Sequence, residues 1–358
     1  MTPAAGAIGE DRLARGRSAY RRLARRKALI LAALGAALAL SLLADLSIGP
    51  GRYGYTEIVR ALLGQEVPLA VRVVVWEIRL PVALMAVAVG AALSVAGAQM
   101  QTVLNNPLAS PFTLGISAAA GFGAALGFVL GVSLLPAAAA AYAIPGNAFL
   151  MAIAAALLIH ALSRRRDVST ETVVLLGIAL VFTFNAALAA LEFIASEQAL
   201  AAVVFWTMGS LGRATWPKLG ITTAALVLVW PVFVRQAWAL TALRLGEGRA
   251  ESFGVRVARL RLQTILLVSL LAAVSVAFVG TIGFVGLVGP HIARMLLGED
   301  QRFFLPASAL AGALMLSAAS VLSKSIIPGL ILPIGVVTAL VGVPFFFSLI
   351  LSTRSRAW

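Results

Sequence analysis

The 358-residue chain contains no cysteine, only two histidines, and only three lysines, at positions 27, 218 and 324. The missing cysteines exclude disulfide bonds, thiolate metal sites and cysteine nucleophiles. None of the lysines belongs to a GxxxxGK(S/T) phosphate-binding loop, so the chain has no ATP site of that type. Charged residues are also scarce, at 12%, whereas a soluble globular domain is about one quarter charged.

Hydrophobic residues make up 61% of the chain and occur in continuous runs. A water-soluble fold of this length could not bury so much apolar surface, so the surrounding medium must be lipid. The strands of a membrane β-barrel would alternate polar and apolar residues, and these runs do not alternate. The sequence therefore predicts an all-α polytopic membrane protein, in which each helix satisfies its own backbone hydrogen bonds.

About ten segments are apolar enough to cross a membrane. They are Ala28–Ala44, Val82–Leu104, Phe112–Leu135, Ala143–Leu162, Thr172–Ile194, Leu219–Leu240, Leu262–Thr281, Ile282–Leu297, Phe304–Leu322 and Ile331–Leu351. Two further apolar pieces, Ala199–Arg213 and Ser325–Pro333, are too short to cross and contain Gly or Pro. We predict that they form short broken half-helices at the outer face.

The basic residues predict the orientation of the chain. With the N-terminus in the cytoplasm, 21 of the 28 Lys and Arg residues fall on the cytoplasmic side, eight of them between Arg12 and Lys27. This bias predicts that both termini are cytoplasmic and that the chain crosses the membrane ten times. The net charge of +14 could also suggest nucleic-acid binding, but the placement of the charges favours a membrane protein whose N-terminal cluster contacts anionic lipid.

The basic start followed by an apolar run could also be a cleaved signal peptide. The run is too long for a typical signal and has no clear cleavage site, so we interpret it as a retained first helix. We expect a basic tail at 1–27, a single transmembrane domain at 28–351 that includes a cytoplasmic loop at 241–261, and a short tail at 352–358.

Two glycine-containing stretches stand out at predicted cytoplasmic helix ends. The first, Gly97–Pro111, groups four polar amides before two prolines that stop the helix. The second, Gly280–Arg294, has glycine at every third position from Gly280 to Gly289, a spacing that permits close backbone approach. For His291, in this second stretch, a structural hydrogen bond is favoured over a metal ligand, because no acidic partner is evident near it.

A third stretch, Leu245–Val255, lies in the most basic predicted cytoplasmic loop. It is short, compatible with a helix, interrupted by glycine, and carries charges of both signs. This pattern is typical of a docking element for a soluble partner, although a plain solvated loop has the same pattern.

Together these stretches resemble the FecCD-type permease family of ABC importers, which take up ferric siderophores, haem and vitamin B12. The resemblance covers the chain from Arg79 onward, and its strongest part is Gly283–His291. Its other parts are Arg79–Pro81, Asn106–Ala109, Leu114–Ser117, Trp206–Ser210, Leu245–Glu247, Leu332–Ala339 and Gly342–Phe346. The chain departs from the family at Val82 and Leu332, where a basic residue and Glu are usual, and at Ala318–Lys324, where the family usually has Asp and Arg.

The resemblance implies a transport subunit and not an enzyme. It implies that two permease subunits, here expected to be a homodimer, form the translocation path between them. Two ATP-binding subunits would dock below, carrying ATP and Mg²⁺, and a substrate-binding protein would deliver cargo from outside. This chain would bind no cofactor and no nucleic acid, and iron would stay inside its chelator because the chain offers no metal cage. Ferric siderophore is the first choice of cargo, followed by haem and corrinoid.

Candidate residues fall into four groups. Coupling to the ATPase is expected at Leu245, Gly246, Glu247, Gly248, Ser252, Phe253 and Gly254. The translocation path is expected to include Thr183, Asn185, Glu192, Trp206, Met208 and Thr338. Structural or gating roles are expected for Gln99, Asn106, Pro107, Gly115, Gly286, Gly289, Pro290, His291, Pro333 and Gly335. Docking of the binding protein is expected at Arg60, Arg72 and Arg213, whereas Arg79 is expected to anchor the second helix.

Two other classes of function remain open. An ion-coupled secondary transporter would carry acidic or histidine relays inside the membrane, and the candidates here are Glu192, His160 and Asp45. A membrane enzyme would require a clustered acid–base or metal constellation, and the sequence contains none that is evident.

Overall fold

The computed structural model describes residues 4–49, 51, 53–163, 170–327 and 329–353, and these residues form helices and connecting turns without any strand. The helices are α1 (Ala4–Ser47), α2 (Tyr55–Leu62), α3 (Leu69–Val73), α4 (Leu80–Val103), α5 (Ile116–Leu130), α6 (Ala143–Ser163), α7 (Thr170–Ile194), α8 (Glu197–Thr207), α9 (Trp216–Leu243), α10 (Glu247–Ser252), α11 (Val257–Val279), α12 (Val285–Leu297), α13 (Gln301–Ser325) and α14 (Ile334–Thr353). A π-helical segment, Val74–Arg79, joins α3 to α4 without a break. Short 3-10 segments occur at Pro111–Leu114, Ala137–Tyr142 and Leu211–Arg213.

Every predicted membrane segment corresponds to one of these helices. Within the described part of the chain, seven helices are long and apolar enough to cross a membrane, and three shorter apolar helices are Ile116–Leu130, Val285–Leu297 and Ile334–Ser348. The all-helical polytopic fold is thereby confirmed. Of the two predicted half-helices, the first is present as α8, whereas the described residues of 326–333 form turns and irregular chain.

The centre of the bundle consists of α4, α11 and α13. In their most apolar windows, 78% of residues are buried in the span that contains α4 and 72% in α11, against 11% in α1 and in α7. Small residues allow this packing, because a Cβ at Gly97 of α4 would lie only 1.7 Å from the carbonyl oxygen of Gly286 in α12. The least buried spans, α1 and α7, lie at the periphery.

Helix α1 continues well beyond the predicted first membrane segment. Its 44 residues correspond to about 66 Å at 1.5 Å per residue, whereas the hydrocarbon core of a bilayer is about 30 Å thick. The expected boundary between tail and membrane domain, at residue 27, therefore falls inside one continuous helix. Lys27 Nζ lies 4.7 Å from the ring centre of Phe303, so this part of α1 lies beside the first turn of α13.

The two ends of the bundle are named here by the short helices that mark them. The α10 end contains α10, the C-terminus of α4 and the turn Gly298–Asp300 between α12 and α13. The α8 end contains the C-terminus of α8, the C-termini of α1, α11 and α13, and the N-terminus of α14. The sequence predicts that the α10 end is cytoplasmic and that the α8 end is outside.

Candidate functional site

At the α8 end, three broken elements are joined through their backbones. The amide of Ser210, just after α8, donates to the carbonyl of Val279 at the end of α11, at 2.7 Å. The amides of Ile334 and Gly335 at the start of α14 donate to the carbonyls of Gly209 and Met208, at 3.1 and 3.0 Å. Three sequence motifs that are far apart in the chain therefore meet in one junction.

Glycine is required at this junction because backbones touch. Gly209 and Gly280 have positive φ, +73° and +78°. A Cβ at Gly209 would lie 2.5 Å from the Thr281 carbonyl oxygen, and one at Gly280 would lie 2.3 Å from the Trp206 carbonyl oxygen. A Cβ at Gly335, two residues after Pro333, would likewise lie 2.5 Å from the Met208 carbonyl oxygen.

Two residues that were predicted to line the path are turned into the interior of the chain. Trp206 is 2% exposed and Thr338 is 0% exposed. The hydroxyl of Thr338 donates to the Gly335 carbonyl at 3.1 Å. Both side chains are buried within this chain, and their assignment to the path stays a prediction. Met208 is half-buried, and its carbonyl takes part in the junction.

The other predicted path residues lie on or beside an exposed face of α7. Thr183 and Asn185 are exposed, and Glu192 is partly exposed near the end of the helix. The same face carries Phe182 and Phe193, which are 72% and 90% exposed. This face is therefore largely apolar with a few polar points.

The motif residues of α5 and α12 are explained by helix packing. Gly115 has φ +78°, and its Cβ position lies 2.9 Å from Leu180 of α7. Gly286 and Gly289 place α12 against Leu93 and Ser94 of α4. Pro290 lies inside α12, and His291 contacts Phe345 of α14 edge to face, with 6.0 Å between the ring centres.

The C-terminus of α4 turns sharply at Asn105, which has φ +44°. The side chain of Asn106 accepts a hydrogen bond from the Leu108 amide at 2.9 Å, and Pro107 lies within this turn. Gln99 is completely buried nearly two turns earlier, and its amide donates to the side chain of Gln301 at 2.9 Å. These contacts tie the end of α4 to the start of α13.

Helix α10 is exposed along most of its length but is firmly attached to the bundle. Leu245 and Phe253, on either side of it, are 54% and 56% exposed, whereas Ala250 is fully buried. Glu247, Gly248 and Ser252 are exposed, and the positive φ values of Gly246 (+103°) and Gly254 (+83°) turn the chain at the two ends. The exposed surface also carries Arg249, Arg256 and Arg259.

A charged network behind α10 was not predicted from the sequence. Glu299, in the turn between α12 and α13, lies between Arg244 of the α9 C-terminus and Arg294 of α12. The three residues of this network are up to 55 positions apart in the chain. The only sequence signal was the placement of opposite charges at three predicted cytoplasmic helix ends.

Charges at the α8 end divide into buried and exposed groups. Arg79 is 5% exposed and donates to the carbonyls of Leu46 at 2.8 Å and Gly51 at 2.9 Å, which confirms that it anchors α4. Asp45 of α1 is completely buried and pairs with Lys324 of α13 at 2.9 Å.

The predicted docking residues also differ in exposure. Arg60 and Arg72 are exposed, while Arg213 is partly buried and donates to the Phe205 carbonyl at 3.3 Å. Burial lowers the pKa of Arg213. Among the residues that the structure describes, no three His, Asp or Glu side chains lie close enough together to hold a metal ion.

The chain is similar to several membrane permeases. It is 38% identical to the hemin transport system permease HmuU of Yersinia pestis, over 79% of this chain and 84% of HmuU. It is 37% identical to the vitamin B12 permease BtuC of Vibrio cholerae, over 76% of this chain and 81% of BtuC. It is 34% identical to the Fe(3+)-citrate permease YfmE of Bacillus subtilis, over 91% of this chain and 96% of YfmE.

A solved structure has the same fold. It is an inward-facing conformation of a metal-chelate type ABC transporter, with a TM-score of 0.79, 31% identity, and coverage of 90% of this chain and 99% of that chain. The model of the FecCD transport family matches residues 37–352. The chain therefore belongs to the FecCD transport family of multi-pass membrane permeases.

Proposed function

We propose that this chain is the membrane-spanning subunit of an ABC importer driven by two separate ATP-binding subunits. The observation that carries the proposal is α10, which is exposed on its surface yet fixed to the bundle through the buried Ala250. A docking element must combine both properties, because a flexible loop would absorb the motion of its partner instead of passing it on.

In this proposal, α10 and its flanking residues 245–254 sit in a cleft of the ATPase. Closure of the two ATP-binding subunits on ATP moves α10 and changes the balance between inward-facing and outward-facing states. The ATP and Mg²⁺ belong to those partners.

The proposed cargo is an iron chelate, with a ferric siderophore as first choice and haem or corrinoid next. Relatives named for haem, vitamin B12 and Fe(3+)-citrate support this class. A bulky chelate requires a wide path with weakly binding walls, and the exposed face of α7 around Thr183 and Asn185 fits that requirement. We propose that this face and α14 line a path between two copies of the chain, with Glu192 at its outer rim.

Placing the α8 end outside a bacterial inner membrane makes it the docking surface for a substrate-binding protein. The exposed Arg60 and Arg72 are suited to acidic partners, and Arg213 lies beside the junction. Exposed ion pairs contribute at most about 1 kcal/mol each, so several must act together.

An ion-coupled transporter is the rival proposal. Its strongest candidate for a relay is Asp45, because this carboxylate is buried. Asp45 is paired with Lys324, which favours a structural role for this carboxylate. Unimpaired uptake without any ATPase would support the rival.

The first experiment is to purify the chain with its candidate ATPase and to measure ATP hydrolysis in lipid. A binding protein loaded with a ferric siderophore, haem or corrinoid is then added in turn. Stimulation by one loaded form supports the importer and identifies its cargo, whereas a chain that never associates with an ATPase contradicts the proposal.

A substitution in α10 tests the docking element directly. Gly248→Trp places a large ring where a Cβ meets nothing within 4 Å, so the fold is retained while the docking surface changes. We expect transport to stop while insertion and melting temperature stay unchanged. Gly220→Trp is the matched control, because Gly220 is another helical glycine with open space at its Cβ position. Normal transport by Gly248→Trp would remove α10 from the coupling mechanism.

A substitution in α7 tests the path. Asn185→Trp is expected to block uptake while the ATPase activity of the assembled complex persists. Unchanged uptake would remove Asn185 from the path.

A further inference from the structure

Glu299 joins two helices through one carboxylate. Its Oε2 accepts a hydrogen bond from Arg244 Nε at 3.0 Å, and its Oε1 accepts a second from Arg244 Nη2. Its Oε1 also lies 2.9 Å from Arg294 Nε, an ion pair whose angles are not those of a hydrogen bond. Arg244 caps the C-terminus of α9 and Arg294 belongs to α12, so Glu299 holds these two helices at a fixed separation.

Both arginines also donate hydrogen bonds to side chains at the end of a third helix, α4. Arg244 Nη1 donates to Asn105 Oδ1 at 3.1 Å, and Arg294 Nη2 donates to Gln101 Oε1 at 2.9 Å. Gln101 lies in the last turn of α4, the most buried of the membrane spans, and Asn105 lies two residues beyond its end. The network therefore reaches from the surface to the centre of the bundle.

The network begins immediately beside α10. Arg244 is followed by Leu245 and Gly246, and α10 begins at the next residue. A second contact fixes α10 itself, because its first residue, Glu247, pairs with Arg261 of α11. Arg261 Nε also donates to the Val103 carbonyl of α4 at 3.4 Å. Both contacts connect the α10 segment to the last turn of α4.

We propose that Glu299 is a positioning residue that transmits the movement of α10 to α4 and α12. The inference depends on the proposed docking role of α10. Without the carboxylate, Arg244 and Arg294 would be neighbouring like charges with no group between them. They would repel each other, and α9 and α12 would no longer move as one body.

A purely structural role predicts a different outcome. The side chains of Arg244, Arg294 and Glu299 are 20%, 18% and 38% exposed. Ion pairs that are partly open to water contribute little to stability. If Glu299 only stabilised the fold, its loss would lower the melting temperature, and transport and ATP hydrolysis would fall together.

The test compares Glu299→Gln with Asp300→Asn and Glu299→Asp. Asp300 is the neighbouring carboxylate, and it caps α13 by accepting a hydrogen bond from the Arg302 amide at 3.1 Å. Asparagine caps a helix about equally well, so Asp300→Asn removes one adjacent negative charge without touching the network. Glu299→Asp keeps the negative charge with a shorter side chain.

The direct readout is a distance measured between spin labels. The chain has no cysteine, so Arg235→Cys in α9 and Met295→Cys in α12, both outside the proposed docking segment 245–254, can be labelled without background. Both positions are exposed. In the complex with its ATPase, we expect the label distance to stay unchanged when nucleotide is trapped with vanadate. In the Glu299→Gln background we expect it to shift or broaden, while Asp300→Asn behaves like the parent protein.

The functional readout is cargo imported per ATP hydrolysed in proteoliposomes, measured with haemin, cyanocobalamin and a ferric hydroxamate siderophore. We expect the ratio to fall about fivefold or more in Glu299→Gln, with a nearly unchanged melting temperature and partial recovery in Glu299→Asp. An unchanged label distance in Glu299→Gln, or a parallel loss of transport, hydrolysis and melting temperature, would overturn the inference. Normal transport by Gly248→Trp would overturn the docking role of α10, and a chain that never associates with an ATPase would overturn the proposed function itself, so these failures are distinguishable from a failure at Glu299.

Discussion

At the α8 end, backbone groups of three elements bond directly to one another, whereas at the α10 end the helices are joined through charged side chains. The first junction depends on Gly209, Gly280 and Gly335, because any Cβ there would meet a backbone oxygen. The second depends on Glu299 and its two arginines, which are partly open to water.

The difference indicates which end is suited to rearrangement. Backbone hydrogen bonds between tightly packed glycines have one geometry, and losing them leaves buried polar groups unsatisfied. Long charged side chains can exchange partners while they remain solvated. We therefore expect the α8 junction to be rigid in itself, whereas the α10 end stays rigid only while Glu299 bridges its two arginines.

The largest effect is expected at the α8 junction. Gly209→Ala would place a methyl group 2.5 Å from the Thr281 carbonyl oxygen at a φ of +73°. Strain, overpacking and lost hydrogen bonds together are expected to cost about 5 kcal/mol or more, enough to prevent folding. Expression level and the melting temperature from tryptophan fluorescence measure this.

Gly212→Ala is the matched control for this prediction. Its added Cβ would meet only the Ser210 hydroxyl, at 3.4 Å, and its effect should be small. Equal expression and equal melting temperatures for the two variants would show that the junction is not rigid.

A smaller effect is expected from the buried ion pair between Asp45 and Lys324 at the α8 end. Asp45→Ala leaves Lys324 without its partner, and breaking a buried pair costs about 3 to 5 kcal/mol. The double variant Asp45→Leu with Lys324→Met removes both charges and is expected to recover most of the melting temperature. If the single and double variants are equally unstable, the pair is not the source of the loss.

The smallest effect on stability is expected for Glu299→Gln at the α10 end, and the dependence of this effect on salt distinguishes the two ends. The melting temperatures of the parent protein and Glu299→Gln should differ by less than the equivalent of about 1 kcal/mol, and this difference should shrink at high ionic strength. The difference between the parent protein and Asp45→Ala should not change with salt, because that pair is buried. An equal response of both differences to salt would mean that the two ends do not differ in exposure to solvent.

The membrane helices could be predicted because each depends on its own local run of apolar residues. The predicted Ala143–Leu162 and Thr172–Ile194 end within two residues of α6 and α7. The second segment was predicted to begin at Val82, whereas the helical chain begins at Leu69. In the sequence, the charges of Glu77 and Arg79 indicated a membrane boundary. In the structure, the Arg79 guanidinium donates hydrogen bonds to backbone carbonyls.

Contacts between distant residues could not be predicted from one sequence. Asp45 and Lys324 are 279 positions apart, and nothing in their local sequence identifies them as partners. For the same reason, the burial of Trp206 and Thr338 by tertiary packing could not be predicted from their residue types. The half-helix predicted at Ser325–Pro333 is missing among its described residues after Ser325, because the chain returns instead to bond Leu332 to Ser323 at 3.0 Å.

The pairing of Asp45 with Lys324 also has a consequence for biosynthesis. At about 5–20 residues per second, a ribosome needs roughly 14 to 56 seconds to extend the chain across those 279 positions. During that interval α1 must remain in the membrane with an unpaired carboxylate, so chains arrested before Lys324 should be degraded faster than arrested chains that carry Asp45→Asn. Equal lifetimes in a pulse-chase experiment would contradict this. Helix α1 is synthesised long before α13 supplies its partner, so quality control of the nascent protein has a long opportunity to act on α1.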